Sequence, residues 1–289
     1  MNKILALSLP FPGVCKVLEH GEGLGLWKFI CLKPGHPPFP IGDIAMLGAW
    51  SPDYSSLIEV LPFQRLGVLW TSSAGEMGFE SYEQQALKAI MEDDRISFVW
   101  FGDKSLARLF PEKGFWAPYP FDIPDPLPEV LPKSDIMTLF CPDTAKKNMF
   151  NQLVAAVFLQ RKLGFLTLET NIQVPEVIRS ELRCRQRGWL PEDKYKSILS
   201  SSKLNLACSW AETFNYQAAE AALLGVPSVG SPAIPWLPRQ NIVENPNDPE
   251  EIARVAEAVL EKNWLSLRAH LVHYALAANN QLRESLSRL

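Results

Sequence analysis

Glu212 and Glu220, eight positions apart around Thr213, Phe214 and Asn215, are the residues of this 289-residue chain best suited to chemistry. A carboxylate accepts two hydrogen bonds at once, so each could hold a pair of neighbouring hydroxyls. Upstream, Lys146 and Lys147 offer cations that could stabilise a departing anion without a metal. Spacing alone proves nothing, and placement decides. Leu204 to Cys208 is short and apolar, as in a buried strand, and Asn215 is a candidate N-cap for an Ala-rich helix that runs to Leu224 and stops at Gly225. Pro227 follows and Val226 to Val229 reads as the next strand, so Leu204 to Gly230 is a βαβ unit. Ligands of parallel sheets lie at the carboxyl ends of strands. An anionic ligand is therefore expected at Ser209 to Phe214 and at the unpaired N–H groups of the next helix.

Two halves supply these elements. In the first, strand-like runs recur at Lys3 to Leu9, Leu26 to Leu32, Asp43 to Gly48, Leu66 to Thr71 and Ile96 to Phe101, with helical patterns at Tyr82 to Ile90 and Ser105 to Phe110. Such alternation predicts a small doubly wound α/β domain over residues 1–133. Its end, Ala117 to Lys133, packs prolines too densely for a helix or central strand and reads as a linker. The second half, residues 134–263, restarts with a strand at Ile136 to Cys141 and a helix from about Met149 to Leu163. Phe165 to Glu169, a helix near Pro175 to Leu182, the Gly188 region and the βαβ unit complete a second α/β domain. Two such domains leave a cleft for a ligand. Residues 264–289 read as a helix.

Composition excludes several classes. The 47% apolar and 21% charged residues are those of an ordinary globular protein, which argues against disorder. A net charge of −4 argues against a broad nucleic-acid-coating surface, although a local basic groove stays open. Cys15, Cys31, Cys141, Cys184 and Cys208 are scattered, with no Cys-x-x-Cys and no His placed to complete a zinc pattern; they read as reduced thiols of a cytoplasmic protein, and no metal site is expected. No apolar run is long enough to cross a bilayer, and the start reads as a strand rather than a signal peptide. Nine Trp leave a peripheral membrane contact open.

The stretch Glu212-Thr-Phe-Asn, Glu220-Ala-Ala, Gly225-Val-Pro-Ser-Val resembles the Glu-x7-Glu signature of retaining GT-B glycosyltransferases, the nucleotide-sugar enzymes of glycosyltransferase family 4 type. Arg187-Gly188-Trp189-Leu190-Pro191, with Lys194, Tyr195 and Leu199, is similar to the family's Gly-x-hydrophobic-Pro stretch and the helix after it. Asn245 to Ile252 is similar to its entry into the helix that follows the sugar-binding strands. The resemblance covers about Met137 to Asn263 and fades in the first 130 residues. It implies two Rossmann-like domains facing each other across a cleft, the second binding the nucleotide-sugar donor and the first the acceptor, with residues 264–289 crossing back to the first. It implies metal-independent transfer of a sugar to an acceptor hydroxyl with retention, the donor being a substrate and no cofactor being needed. The acceptor could be a glycan, lipid, protein or nucleic-acid hydroxyl. A binding protein that transfers weakly or not at all is the alternative.

By the same resemblance Glu220 would meet the ribose hydroxyls and Glu212 the donor sugar. The plain alternatives are a solvated helix glutamate and a loop acid. Thr213, Phe214 and Asn215 would touch donor sugar and phosphate through their backbone, while the Asn215 side chain serves as N-cap. Lys147 best matches the family's diphosphate-binding Lys, with Lys146 a close alternative; the companion Arg position holds Cys141 or Pro142. Gly188 would lie at the base pocket, and Gly13, in Pro10-Phe-Pro-Gly13, near the diphosphate, an ordinary turn being an equal reading. The basic run Arg183 to Arg187 could bind phosphate or stack on a base, or be a solvated edge. Trp70 to Ser73 ends a strand where the family carries a His, and none is here; His20, His36, His270 and His273 fit no catalytic pattern. Glu76, Glu80 and Glu83 read as acceptor contacts or as a charged helix start.

Overall fold

The structure, a computed structural model, describes residues 3–32, 43–51, 54–78, 81–261 and 264–289. The chain forms two compact units, residues 1–123 with 275–289, and residues 124–274.

The first unit holds a parallel sheet of six strands: β1 (Ile4–Ser8), β2 (Lys28–Cys31), β3 (Ile44–Gly48), β4 (Arg65–Trp70), β5 (Phe98–Phe101) and β6 (Gly114–Trp116). Their order is β2-β1-β3-β4-β5-β6. The crossovers carry α1 (Pro12–Gly23), α2 (Ser55–Val60), α3 (Ser81–Glu92) and α4 (Lys104–Leu109). β1 and β3 are buried at every position, the apolar pattern of strands covered on both faces. The segment read as a linker begins inside this unit. Tyr119 donates its hydroxyl to the Trp70 carbonyl (2.8 Å), and the Asn279 amide pairs with both backbone groups of Phe121. The proline-rich stretch from Pro124 onward belongs to the second unit.

The second unit is built on five parallel strands: β7 (Ile136–Leu139), β8 (Thr167–Thr170), β9 (Cys184–Gln186), β10 (Leu204–Ala207) and β11 (Ser228–Gly230). They run in the order β11-β10-β7-β8-β9. From β7 the chain winds outward through α5 (Met149–Leu163), β8, α6 (Glu176–Arg179) and β9. It then returns through α7 (Glu192–Ser201) to lay β10 on the other side of β7. α8 (Tyr216–Leu223) leads to β11, and α9 (Pro249–Leu260) packs on α5. Met137, Leu153, Leu168, Leu206, Val229 and Ile252 join the sheet to α5 and α9 in one apolar core.

α8 shows how local chemistry sets this frame. Asn215, with φ +66°, caps the helix by accepting from the Ala218 N–H at 2.9 Å, and Gly225 turns the chain away at φ +70°. Between them Ala218, Ala219, Ala221 and Ala222 are buried, small enough to bring the helix close to β10 and β11. The last helix, α10 (Trp264–Leu286), gives its first part to the second unit and residues 275 onward to the first.

The pattern predicts Rossmann-like units, and both sheets are parallel with helical crossovers. Differences in extent have local causes. α1 falls where a turn is expected: Pro12 occupies a first-turn position, where a missing N–H costs nothing. The helix near Pro175 is only four residues long, Glu176–Arg179.

Candidate active site

β7 and β10 are neighbours, Leu204 lying opposite Met137, and the sheet order reverses between them. Their carboxyl ends therefore lie side by side, the position where ligands of such sheets bind, and each leads into a loop. One loop carries Lys146 and Lys147, the other Glu212 to Asn215. The loops are tied together at their bases. The Trp210 N–H donates to the Lys146 carbonyl at 2.8 Å, and the Asn148 amide donates to the carbonyls of Cys208 (3.0 Å) and Pro246 (2.5 Å). Gln152 donates to the Lys147 carbonyl at 2.7 Å and accepts the Cys208 N–H at 2.8 Å. Asn148 and Gln152 are almost wholly buried, so these amides are structural.

On this base Lys147 Nζ meets Glu212 Oε1 at 2.5 Å, with side-chain exposures of 14% and 8%. The same oxygen accepts from Ser209 Oγ at 2.8 Å and Asn215 Nδ2 at 3.0 Å. Asn215 thus works from both ends, its oxygen capping α8 and its nitrogen holding Glu212. The arrangement is a cation and a carboxylate, each fixed by its own loop, in direct contact at the switch point.

Glu220 lies one turn further along α8 and is half-buried. Tyr195 of α7 donates its hydroxyl to Glu220 Oε2 at 2.9 Å, and the Tyr195 ring stands edge-on to Phe140, just past β7. Burial, then the negative charge of Glu220, push the Tyr195 hydroxyl well above its ordinary pKa, so it stays a donor. The sequence marks Tyr195 only as part of a helix; its contact joins residues 25 apart on two helices, which no sequence pattern announces.

The remaining expected residues are placed as follows. The side chain of Phe214 is buried against Tyr216, Trp236 and Tyr274, and its carbonyl accepts from Trp236 Nε1 at 2.8 Å, which makes it part of the frame. Thr213 and Lys146 are part-exposed in the two loops. Gly188, at φ +67°, turns the chain just past β9, on the same carboxyl edge but two strands from β7, roughly 10 Å at ordinary strand spacing. Gly13 is the second residue of α1 in the first unit, where a side chain would meet nothing within 4 Å.

Two of the basic-cluster arginines serve the fold. Arg185 and Arg187 bind Glu169 at 3.0 and 2.7 Å; Glu169 is 1% exposed on β8, directly opposite Arg185. A buried carboxylate needs such partners, and the register supplies them. Cys141 pairs with Asn171 through both backbone groups, N to Oδ1 at 3.0 Å and O to Nδ2 at 2.9 Å. Burial pushes its thiol up to about 12, against the pull of Lys147. It therefore stays protonated and supplies no charge.

In the first unit, Glu76 is buried and accepts the Ser73 N–H at 2.5 Å, while Ser72 donates to Glu83 at 2.7 Å. These acids shape the loop after β4. His20 accepts the Asp122 N–H at 3.0 Å, and His270 and His273 are exposed on α10. Glu80 and His36 lie outside the described residues. Among the described residues no helix is long and apolar enough to cross a membrane, and no group of three His, Cys, Asp or Glu could hold a metal ion.

No protein-family model and no curated protein matches the sequence. Solved structures do match. The Anabaena protein HepE, in complex with UDP and glucose, superimposes with a TM-score of 0.71 at 13% identity, each chain covered over 100% of its length. A UDP-forming α,α-trehalose-phosphate synthase from Burkholderia xenovorans gives 0.65 at 10% identity, covering 99% of this chain and 96% of that one. A mutant of S. aureus TarM, in complex with fondaparinux, α-GlcNAc-glycerol and UDP, gives 0.59 at 12% identity, covering 85% of this chain and 54% of that one. The chain thus spans about half the length of TarM and of the pneumococcal O-GlcNAc transferase GtfA, 54% in each case. At such identities the likeness speaks for the fold. With two Rossmann-like α/β units and these structural neighbours, the chain has the GT-B fold.

Proposed function

We propose that this protein is a glycosyltransferase that moves a sugar from a nucleotide-diphosphate donor to an acceptor hydroxyl, with retention of configuration and without a metal. The observation that carries the reading is the meeting of Lys147 and Glu212 where the order of the second sheet reverses. Lys147 can neutralise the diphosphate as the glycosidic bond breaks, and Glu212, with Asn215 beside it, can hold the sugar hydroxyls. The amino-terminal end of α8 adds the positive end of a helix dipole, and Glu220 lies one turn on for the ribose. Such a site needs no enzymic nucleophile: the leaving phosphate itself can take the acceptor proton. The similarity to structures in complex with UDP supports a nucleotide donor. Scattered free cysteines support a cytoplasmic setting.

One observation favours a second reading, a donor-binding protein with little transfer. Where the resemblance calls for an arginine stands Cys141, uncharged, and Arg185 and Arg187 are committed to Glu169. A thermal-shift panel of UDP, GDP and ADP sugars identifies the donor, because a ligand that binds only the folded state raises its stability by mass action. Release of nucleoside diphosphate from that donor, in water or with acceptors, then separates the readings. Release that Lys147→Ala abolishes supports the transferase; binding with no release supports the second reading. A panel in which no donor raises stability overturns both.

A further inference from the structure

Tyr195 takes no part in the chemistry above, yet it is bonded directly to one of its residues. Its hydroxyl donates to Glu220 at 2.9 Å across two helices, and its ring is held edge-on by Phe140, with centroids 5.6 Å apart. Leu199, Ala221 and Val226 form a small buried cluster on which Tyr195 packs, so the surfaces of α7 and α8 behind the hydrogen bond are closed. The far ends of the same helices are joined as well. Lys133 Nζ donates to the carbonyls of Ser200 (2.7 Å) and Leu224 (2.9 Å), at the carboxyl ends of α7 and α8. The two helices are thus joined at two points, one of which ends on the Glu220 carboxylate.

A glutamate side chain unheld on a helix samples several rotamers, and binding a ligand through it must first select one. Tyr195 has already selected one through Oε2. Each carboxylate oxygen carries two lone pairs, so this hydrogen bond leaves acceptor capacity for two vicinal hydroxyls.

We propose that Tyr195 is a positioning residue that orients Glu220 toward the ribose, so that the site selects ribonucleoside diphosphates over their 2′-deoxy counterparts. The inference rests on the reading of Glu220 as the ribose ligand. Selection arises because a carboxylate held in place forms its bond to the 2′-hydroxyl without a further ordering cost, and charge-assisted hydrogen bonds of this kind are the strong ones.

The test uses the full chain and six probes: uridine, guanosine and adenosine diphosphates and the 2′-deoxy form of each, titrated calorimetrically. The wild type should bind its preferred ribonucleotide about tenfold more tightly than the deoxy form, the effect of one charge-assisted hydrogen bond. Tyr195→Phe keeps the ring and its contact with Phe140 and removes only the donor. It should weaken the ribonucleotide, leave the deoxynucleotide unchanged, and bring the ratio down to about threefold or less. A packing defect weakens both alike, and that result overturns the positioning role, as does an undiminished ratio. Glu220→Ala separates this inference from the one beneath it. If Glu220→Ala abolishes the ratio while Tyr195→Phe keeps it, only the role of Tyr195 fails; if Glu220→Ala keeps the ratio, the ribose reading of Glu220 fails. Absence of binding by all six probes to the wild type overturns both.

Discussion

Replacing Glu212 with Gln should tighten the binding of a free nucleoside diphosphate while slowing sugar transfer. Lys147 is held by Glu212 at 2.5 Å, so a diphosphate that recruits Lys147 competes with a carboxylate already in place. The gross attraction at that distance is about 7 kcal/mol at an effective dielectric constant of about 20. Much of it is offset. Both side chains keep some solvent contact, 14% and 8%, and Ser209 and Asn215 stay on Glu212 Oε1 when Lys147 leaves. A net cost of about 1 to 2 kcal/mol for releasing the lysine is consistent with part-buried ion pairs. Glutamine keeps the carbonyl acceptor for Ser209 and Asn215 but has no charge for Lys147. Calorimetric titration with the diphosphate chosen by thermal shift should therefore show affinity raised about 5- to 30-fold. In a Lys147→Met background the same change should bring no gain, which makes a double-mutant cycle the control. Equal or weaker binding by Glu212→Gln would refute the idea that the ion pair opposes diphosphate entry.

The remaining predictions concern single groups. Lys147→Ala should lower kcat about 10²- to 10³-fold, the usual effect of losing one group that stabilises developing charge, and change donor Kd far less; steady-state rates against calorimetric affinity check this. Burial lowers Lys133 from 10.5 to about 8, so between these pH values the unfolded chain binds a proton that the folded chain has released. Stability should then rise with pH across that window relative to Lys133→Met, and urea midpoints of the two proteins at pH 7.5 and 9.5 should show this sign. Cys141, pushed up to about 12 by burial, should resist iodoacetamide at pH 8 in the folded protein and react after unfolding, as peptide mass mapping would show.

How much of this was legible in the sequence follows from the range of the forces involved. The βαβ unit from β10 to β11 was readable because its signals are local: a short apolar strand, a capping Asn215, an alanine-rich turn and a half, and Gly225 at positive φ. α1 was not, since Pro10, Phe11 and Pro12 look like a breaker until Pro12 is seen to occupy the first turn. β9 escaped for another reason. It is a half-exposed edge strand of Cys184, Arg185 and Gln186, with no apolar alternation to mark it.

The site divides along the same line. Lys147, Glu212 and Asn215 could be named from the family resemblance together with their place in loops that follow strands, because the carboxyl edge of a parallel sheet gathers whatever those loops carry. What the loops do to one another could not be named. The contact of Lys147 with Glu212 depends on β10 returning beside β7, and that of Tyr195 with Glu220 on the packing of α7 against α8. The arginine run shows the converse. Read alone it resembles an anion site, but strand register places Arg185 opposite Glu169, and that buried carboxylate, at 1% exposure, holds both Arg185 and Arg187. Of the cations in the two loops, Lys147 is the one the fold brings against Glu212, and on the proposed function a diphosphate must compete with that acid. That competition ties donor binding to the geometry of a single ion pair, which is why the Glu212→Gln titration bears on the whole reading of the site.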